Sequence, residues 1–174
     1  AVGLIRESGH ELFSGSLVVP IADQAGAVVE VYGRKLGSRL RKGTPLHLFL
    51  PGPHRGVWNA EAVARYREVI LCEGFFDALT FVDRGFENVT WVYGVEGLTA
   101  DHLELFRRAG TERVLLGYDG DAAGDRGAER HGERLCAEGI EVFRLPVPRG
   151  HDVNSFARSV ADARDTLSEL VRRA

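Results

Sequence analysis

The chain has 174 residues, of which 44% are apolar and 27% charged, with a formal net charge of −3. That length holds one compact domain, or a domain with a small lobe, and the composition excludes a disordered or low-complexity protein. No apolar run approaches the roughly 18 residues needed to cross a bilayer, and neither a signal-peptide pattern nor a Cys/His set at zinc spacing occurs, so the expectation is a cytoplasmic protein with no membrane partner.

The chain begins with Ala and contains no Met, so we expect a piece of a longer protein. Leu17–Ile21 and Ala27–Tyr32 are rich in β-branched residues and flank a polar Asp23-Gln24-Ala25-Gly26 turn, which predicts a hairpin. Leu46–Leu50 predicts a third strand between Gly43/Pro45 and Pro51, and Asn59 is a plausible N-cap for a short helix through Tyr66. From Arg34 to Arg55 the charged residues are Arg34, Lys35, Arg39, Arg41, Lys42 and Arg55, without one acid. Beyond Val69 acids outnumber bases, so a basic front lobe precedes an acidic domain. Such a division suits a polyanion held beside a metal-binding site. We expect a mixed α+β lobe over 1–66 and a second domain over 67–174.

That second part alternates regularly. Val69–Cys72, Val89–Tyr93, Val114–Tyr118 and Ile140–Leu145 read as buried strands. Helical spacing runs from Phe75 to Arg84, from Thr99 to Gly110, from Asp125 to Glu138 and from Val153 onward, with a possible break near Ala161. Alternation of this kind predicts an α/β fold, a mostly parallel sheet with helices on both faces and right-handed crossovers. Trp58 and Trp91 read as packing residues, the tail residues Leu167, Leu170 and Val171 as one face of an amphipathic helix, and Cys72 and Cys136 as buried free thiols.

In parallel α/β sheets ligands bind beyond the carboxyl ends of the strands. Acids recur at that end: Glu73-Gly74 after the first strand, Asp119-Gly120-Asp121 after the third, and Asp152 in Gly150-His151-Asp152-Val153-Asn154 after the fourth. Two carboxylates ~4 Å apart repel by roughly 4 kcal/mol at an effective dielectric near 20. A fold that gathers several therefore calls for a cation or for protons. An all-oxygen donor set favours Mg²⁺, Mn²⁺ or Ca²⁺ over zinc, and Mg²⁺ shares its positions with phosphates, as phosphoryl transfer requires. Taken alone, Asp119-Gly120-Asp121 also reads as a turn that caps the following helix. A dinucleotide-binding fold is disfavoured, because Glu73 stands where a phosphate loop would follow the first strand.

These segments resemble a known family. Val69-Ile70-Leu71-Cys72-Glu73-Gly74-Phe75-Phe76-Asp77-Ala78-Leu79 resembles the Toprim glutamate motif of DnaG-type bacterial primases. Tyr118-Asp119-Gly120-Asp121-Ala122-Ala123-Gly124 resembles that family's YDGDxAG motif. Gly94 with Leu98-Thr99 is similar to the intervening glycine turn, and Gly150–Asn154 to the last acidic motif. Leu17 through Arg34 is similar to the primase front lobe, so the resemblance spans nearly the whole chain and extends to primase-like proteins of mobile elements.

The resemblance implies a Toprim fold and Mg²⁺-dependent nucleotidyl transfer, Mn²⁺ substituting, that makes RNA primers from NTPs on single-stranded DNA during DNA replication. It implies Glu73, Asp119 and Asp121 as catalytic residues and Glu73, Asp119, Asp121 and Asp152 as metal ligands. Arg34, Lys35, Arg41, Lys42, Gly74, Asp77, Gly124 and Asn154 would face nucleotide or nucleic acid. Asp77 would orient Glu73 or a basic partner; it reads equally as a first-turn helix acid favoured by the macrodipole. The chain departs from the family at Leu46 and His47, which match a lysine and a tyrosine, and at Asn154, which matches the second acid of the last motif. Two other readings stay open: Toprim-type strand cleavage, and a degenerate module that grips nucleic acid without catalysis. The family's zinc-binding and helicase-interacting modules are expected outside this chain.

Overall fold

A computed structural model describes residues 3–37 and 39–174. It divides into two compact units between Gly56 and Val57, ten residues earlier than the expected boundary. The cause is packing. Val57 and Val63 enter the core of the second unit, and the Thr90 hydroxyl donates to the Trp58 carbonyl at 2.6 Å. The short helix α1 (Ala60–Val63) therefore belongs to the second unit. Residues 1–66 thus hold the strands and the short helix expected of them, with the strands in the first unit and α1 packed in the second.

In the first unit β1 (Ser16–Ala22), β2 (Val28–Lys35) and β3 (His47–Leu48) form an antiparallel sheet in that order. The hairpin turns where expected because Asp23 Oδ1 accepts from the N–H groups of Ala25 and Ala27 at 2.9 and 3.0 Å, a side chain mimicking a backbone turn. β3 is shorter than Leu46–Leu50 because the Leu50 N–H donates to Glu30 Oε1 at 2.9 Å instead of joining a ladder. Phe13, Ile21, Tyr32 and Leu48 are the buried apolar residues of this unit.

The second unit holds β4 (Glu68–Cys72), β5 (Val89–Trp91), β6 (Arg113–Gly117) and β7 (Glu141–Arg144) in one parallel sheet ordered β5-β4-β6-β7. The helices are α2 (Phe75–Asp83), α3 (Ala100–Ala109), α4 (Ala122–Ala137), α5 (Val153–Ser159) and α6 (Ala163–Arg172). Alternation along the central strands separates two faces. Val69, Leu71, Val114 and Leu116 share a buried cluster with Leu105 and Phe106 of α3 and Ala128 and Leu135 of α4. On the other face Gly117 lies against Cys72, Leu145 and Phe81 of α2. Central strands covered on both faces explain the continuous apolar runs in the sequence.

Local details correct four expectations. Asn59 adopts a left-handed backbone and makes no cap bond; its amide donates instead to the carbonyls of Glu87 and Val89, at 3.0 and 2.8 Å, tying down the entry to β5. The helix after it ends at Val63 rather than Tyr66. α4 begins before Asp125, at Ala122, because Asp121 caps it. Cys136 is exposed, since Leu135 takes the core position and the next residue is turned about 100° round the helix. Trp91 is buried, and Trp58 packs edge-on against Phe75 with ring centroids 5.2 Å apart.

Candidate metal centre

The carboxyl ends of β4 and β6 and the loop after β7 carry the acids. Glu73 follows β4 directly, and Gly74 is the extended N-cap of α2. Asp77, in the first turn of α2, is buried. Asp119 and Asp121 follow β6, and Asp121 Oδ1 accepts from the N–H groups of Ala123 and Gly124, both at 2.8 Å, to cap α4. Asp152 caps α5, its Oδ1 accepting from the Ser155 N–H at 2.5 Å.

Backbone contacts hold these loops together. The Gly120 N–H donates to the His151 carbonyl at 2.8 Å, and the Gly150 N–H donates back to the Gly120 carbonyl at 3.0 Å. This pairing requires glycine: a Cβ on Gly120 would stand 2.2 Å from the Pro148 oxygen, and one on Gly124 would stand 2.2 Å from the Asp119 oxygen. A side chain on Gly120 would push the two acid-bearing loops apart, and one on Gly124 would open the turn that begins at Asp119. Asp77 joins a third segment, as its Oδ1 accepts from the Asn154 N–H at 3.0 Å, while the Asn154 side-chain amide donates to Thr80 Oγ1 at 2.7 Å. Asp77 and Asn154 thus brace α2 against α5.

Crowding of acids shows in their protonation. Burial, reinforced by the charges of Asp119 and Asp121, pushes the Glu73 carboxyl up to about 7 against the pull of the Asp119 N–H bond and of Arg144. Burial pushes Asp77 up to about 7, with Asp152, Asp119 and Glu73 adding repulsion and the Asn154 N–H opposing it. Asp119 is raised by burial and by Asp152 and Asp121, and Arg144 opposes the rise. Glu73 Oε2 is buried without a hydrogen-bond partner. A desolvated, unpartnered oxygen of this kind is what a cation or a transferable proton would stabilise.

Asp119 therefore lies within electrostatic reach of Glu73, Asp77, Asp121 and Asp152. Among the described residues, however, no three His, Cys, Asp or Glu side chains already converge tightly enough to hold a metal ion. Two of the expected ligands, Asp121 and Asp152, are turned onto helix N-termini, each cap being made by Oδ1 alone. The donor chemistry fits a hard divalent cation, but the side chains are arranged for mutual avoidance.

Arg144 is a participant that the sequence reading missed. It ends β7, and its guanidinium donates to the Asp119 carbonyl at 2.8 Å and the Gly124 carbonyl at 3.3 Å. The same group pairs with Asp125 at 2.7 Å, and Asp125 also pairs with Arg149 at 2.7 Å. His151 stays off the acids, its Nδ1 lying 3.3 Å from Ser155 Oγ.

The expected nucleic-acid-facing cations Arg34, Lys35, Arg41 and Lys42 all lie in the first unit. Arg34 and Lys35 end β2. Arg34 donates to His47 Nε2 at 2.5 Å while His47 Nδ1 meets the Tyr32 hydroxyl at 3.0 Å. Partial burial, helped by Arg34, lowers the His47 pKa, which keeps the ring neutral and able to accept. Lys35 Nζ donates to the Ser14 carbonyl. Arg41 and Lys42 are exposed between β2 and β3. No helix of the described residues is long and apolar enough to cross a membrane.

The family described as Toprim-like matches residues 70–157. The DNA primase of Listeria monocytogenes is 29% identical over 175 residues, covering 91% of this chain and 27% of that protein. The chain thus spans about a quarter of that relative. Among solved structures, the DnaG catalytic core superposes with a TM-score of 0.82 at 26% identity, covering 99% of this chain and 57% of that one. A DnaG primase catalytic domain bound to single-stranded DNA superposes with a TM-score of 0.79 at 25% identity, covering 99% and 58%.

Proposed function

This chain belongs to the Toprim-like family, and from that premise we propose that it is the catalytic core of a DnaG-type primase, carrying out cation-dependent nucleotidyl transfer that builds RNA primers on single-stranded DNA. The observation that carries the reading is the buried, unpartnered Glu73 Oε2, with the charges of Asp119 and Asp121 from the loop after β6 acting on the same carboxyl. The likeness to a primase domain bound to single-stranded DNA supports the template assignment. Zinc-binding and helicase-interacting modules would lie elsewhere in a longer protein.

Glu73, Asp119, Asp121 and Asp152 would hold Mg²⁺, or Mn²⁺ in its place. When bound, the cation would neutralise triphosphate charge and favour ionisation of the attacking hydroxyl. In the transfer, the primer 3′-oxygen forms a bond to the α-phosphorus of an NTP and pyrophosphate leaves. Glu73 would serve the cation through one carboxylate oxygen or, where it stays off the cation, take the hydroxyl proton at the unpartnered Oε2. Asp77 and Asn154 brace the helices that aim these groups, Gly74 lets a nucleotide approach the backbone, and Gly124 lets the turn close on the Asp119 carbonyl. Arg34, Lys35, Arg41 and Lys42 supply phosphate contacts, which position nucleic acid without reading its sequence.

Calorimetric titration of Mg²⁺ and Mn²⁺ tests the assignment. Wild type should bind, and the Asp119→Ala/Asp121→Ala double variant should lose binding while staying folded. Equal binding by both would remove these acids from the site.

A further inference from the structure

We propose that Arg144 is a positioning residue that clamps the Asp119–Gly124 turn and thereby aims the carboxylates of the site, a role that rests on the nucleotidyl-transfer reading and adds a residue to it. Its guanidinium spans both ends of that turn, donating to the Asp119 and Gly124 carbonyls. The turn between those carbonyls carries Asp119 and Asp121.

Both ends of the turn are fixed as a result. The carbonyl of Asp119 is held by Arg144 at 2.8 Å. The carbonyl of Gly124 is held by the same group at 3.3 Å, and the Gly124 N–H donates to Asp121 Oδ1 at 2.8 Å. With both ends fixed, the backbone from which Asp119 and Asp121 leave is set. One guanidinium therefore acts on two carboxylates without a hydrogen bond to either side chain. Its own direction is set by Asp125, which is in turn held by Arg149.

The clamp requires a planar fork. Arginine presents several N–H donors in fixed directions, whereas lysine presents one compact ammonium on a flexible stem. Lysine at this position would keep the charge but could not hold two carbonyls and a carboxylate in one geometry. Charge and geometry also predict opposite signs. A positive charge beside a cation site weakens cation binding, so its removal alone would tighten binding. Loss of an orienting partner instead weakens binding, typically about 10-fold to 100-fold.

Mn²⁺ affinity of the whole chain, read by calorimetry and by electron paramagnetic resonance of free Mn²⁺, separates these outcomes for wild type, Arg144→Lys and Arg144→Met. Amide exchange at Gly124, whose N–H donates to Asp121 Oδ1, is followed in parallel. The clamp predicts that both variants bind Mn²⁺ at least about 10-fold more weakly and exchange the Gly124 N–H faster. Unchanged or tighter binding by Arg144→Met would overturn it. Should Arg144→Met fail to fold, wild-type affinity in Arg144→Lys would overturn it equally, by showing that charge alone suffices. A purely architectural arginine would lower the melting temperature and leave the affinity of the folded fraction unmoved. Wild type that takes up no Mn²⁺ would overturn the nucleotidyl-transfer reading and this role with it, whereas wild-type binding with unchanged variants overturns this role alone.

Discussion

Each unit takes a glutamate carboxylate out of water, Glu30 wholly and Glu73 at one oxygen, and the two are treated in opposite ways. Glu30, in the antiparallel unit, is satisfied: Oε1 accepts from the N–H groups of Val31 and Leu50, and Oε2 pairs with His54 at 3.0 Å. Glu73, in the parallel unit, keeps one oxygen buried and without a partner and is surrounded by further acids. A buried carboxylate with a full set of donors is a structural element. One left short of donors and crowded by like charge stores unfavourable free energy that a ligand can relieve. The contrast, rather than the count of acids, supports the proposal that the chemistry lies in the second unit.

Substitution should expose the difference most sharply at Glu30. Glu30→Ala strands two N–H groups and a histidine, so it should destabilise the first unit by about 3 kcal/mol. Urea unfolding and amide exchange across β2 would register this, with Mn²⁺ affinity unchanged. A change in Mn²⁺ affinity would blur the division of labour between the units.

Asp121→Asn should do the reverse. Asparagine caps helices about as well as aspartate, so stability should change by less than about 1 kcal/mol, while Mn²⁺ affinity and turnover fall together by about 10-fold. Unaltered affinity and turnover would remove Asp121 from the site.

Glu73→Gln gives the smallest effect and the clearest sign. The Glu73 carboxyl is raised from 4.5 to about 7 in the fold. Its protonated form therefore favours the folded state, and that contribution is fully present below pH 4.5 and lost as pH rises through 7. Glutamine removes the dependence, so the variant should gain stability relative to wild type between pH 5 and pH 8. The gain should be about 1 kcal/mol after allowance for partial exposure of the group. Urea midpoints at several pH values would measure it, and parallel curves for the two proteins would contradict it.

The sheet was legible because four apolar runs of strand length alternate with helical spacing, and central parallel strands covered on both faces have no other way to appear in a sequence. The placement of Glu73, Asp119, Asp121 and Asp152 at one end of the sheet was legible because each stands just past the end of a strand or of the loop after it. Arg144 was not. It acts on the backbone carbonyls of Asp119 and Gly124, and a carbonyl leaves no trace in residue identity. The lobe boundary failed for a similar reason. Pro51 and Pro53 mark a break in the chain, but the burial of Val57 and Val63 assigns the following segment to the second unit. Asn59 has the residue type of a helix cap, yet its amide is drawn away by the carbonyls of Glu87 and Val89, which lie far along the chain.

Incorporation of labelled ribonucleotides on a single-stranded DNA template, with Mg²⁺ or Mn²⁺, by wild type and by Asp119→Ala/Asp121→Ala tests the central claim most directly. The account predicts cation-dependent incorporation by wild type and a loss of more than about 100-fold in the double variant, beyond what removal of an outer-shell partner produces. Incorporation that survives the loss of both aspartates, or that proceeds at full rate with the cation chelated, would contradict it.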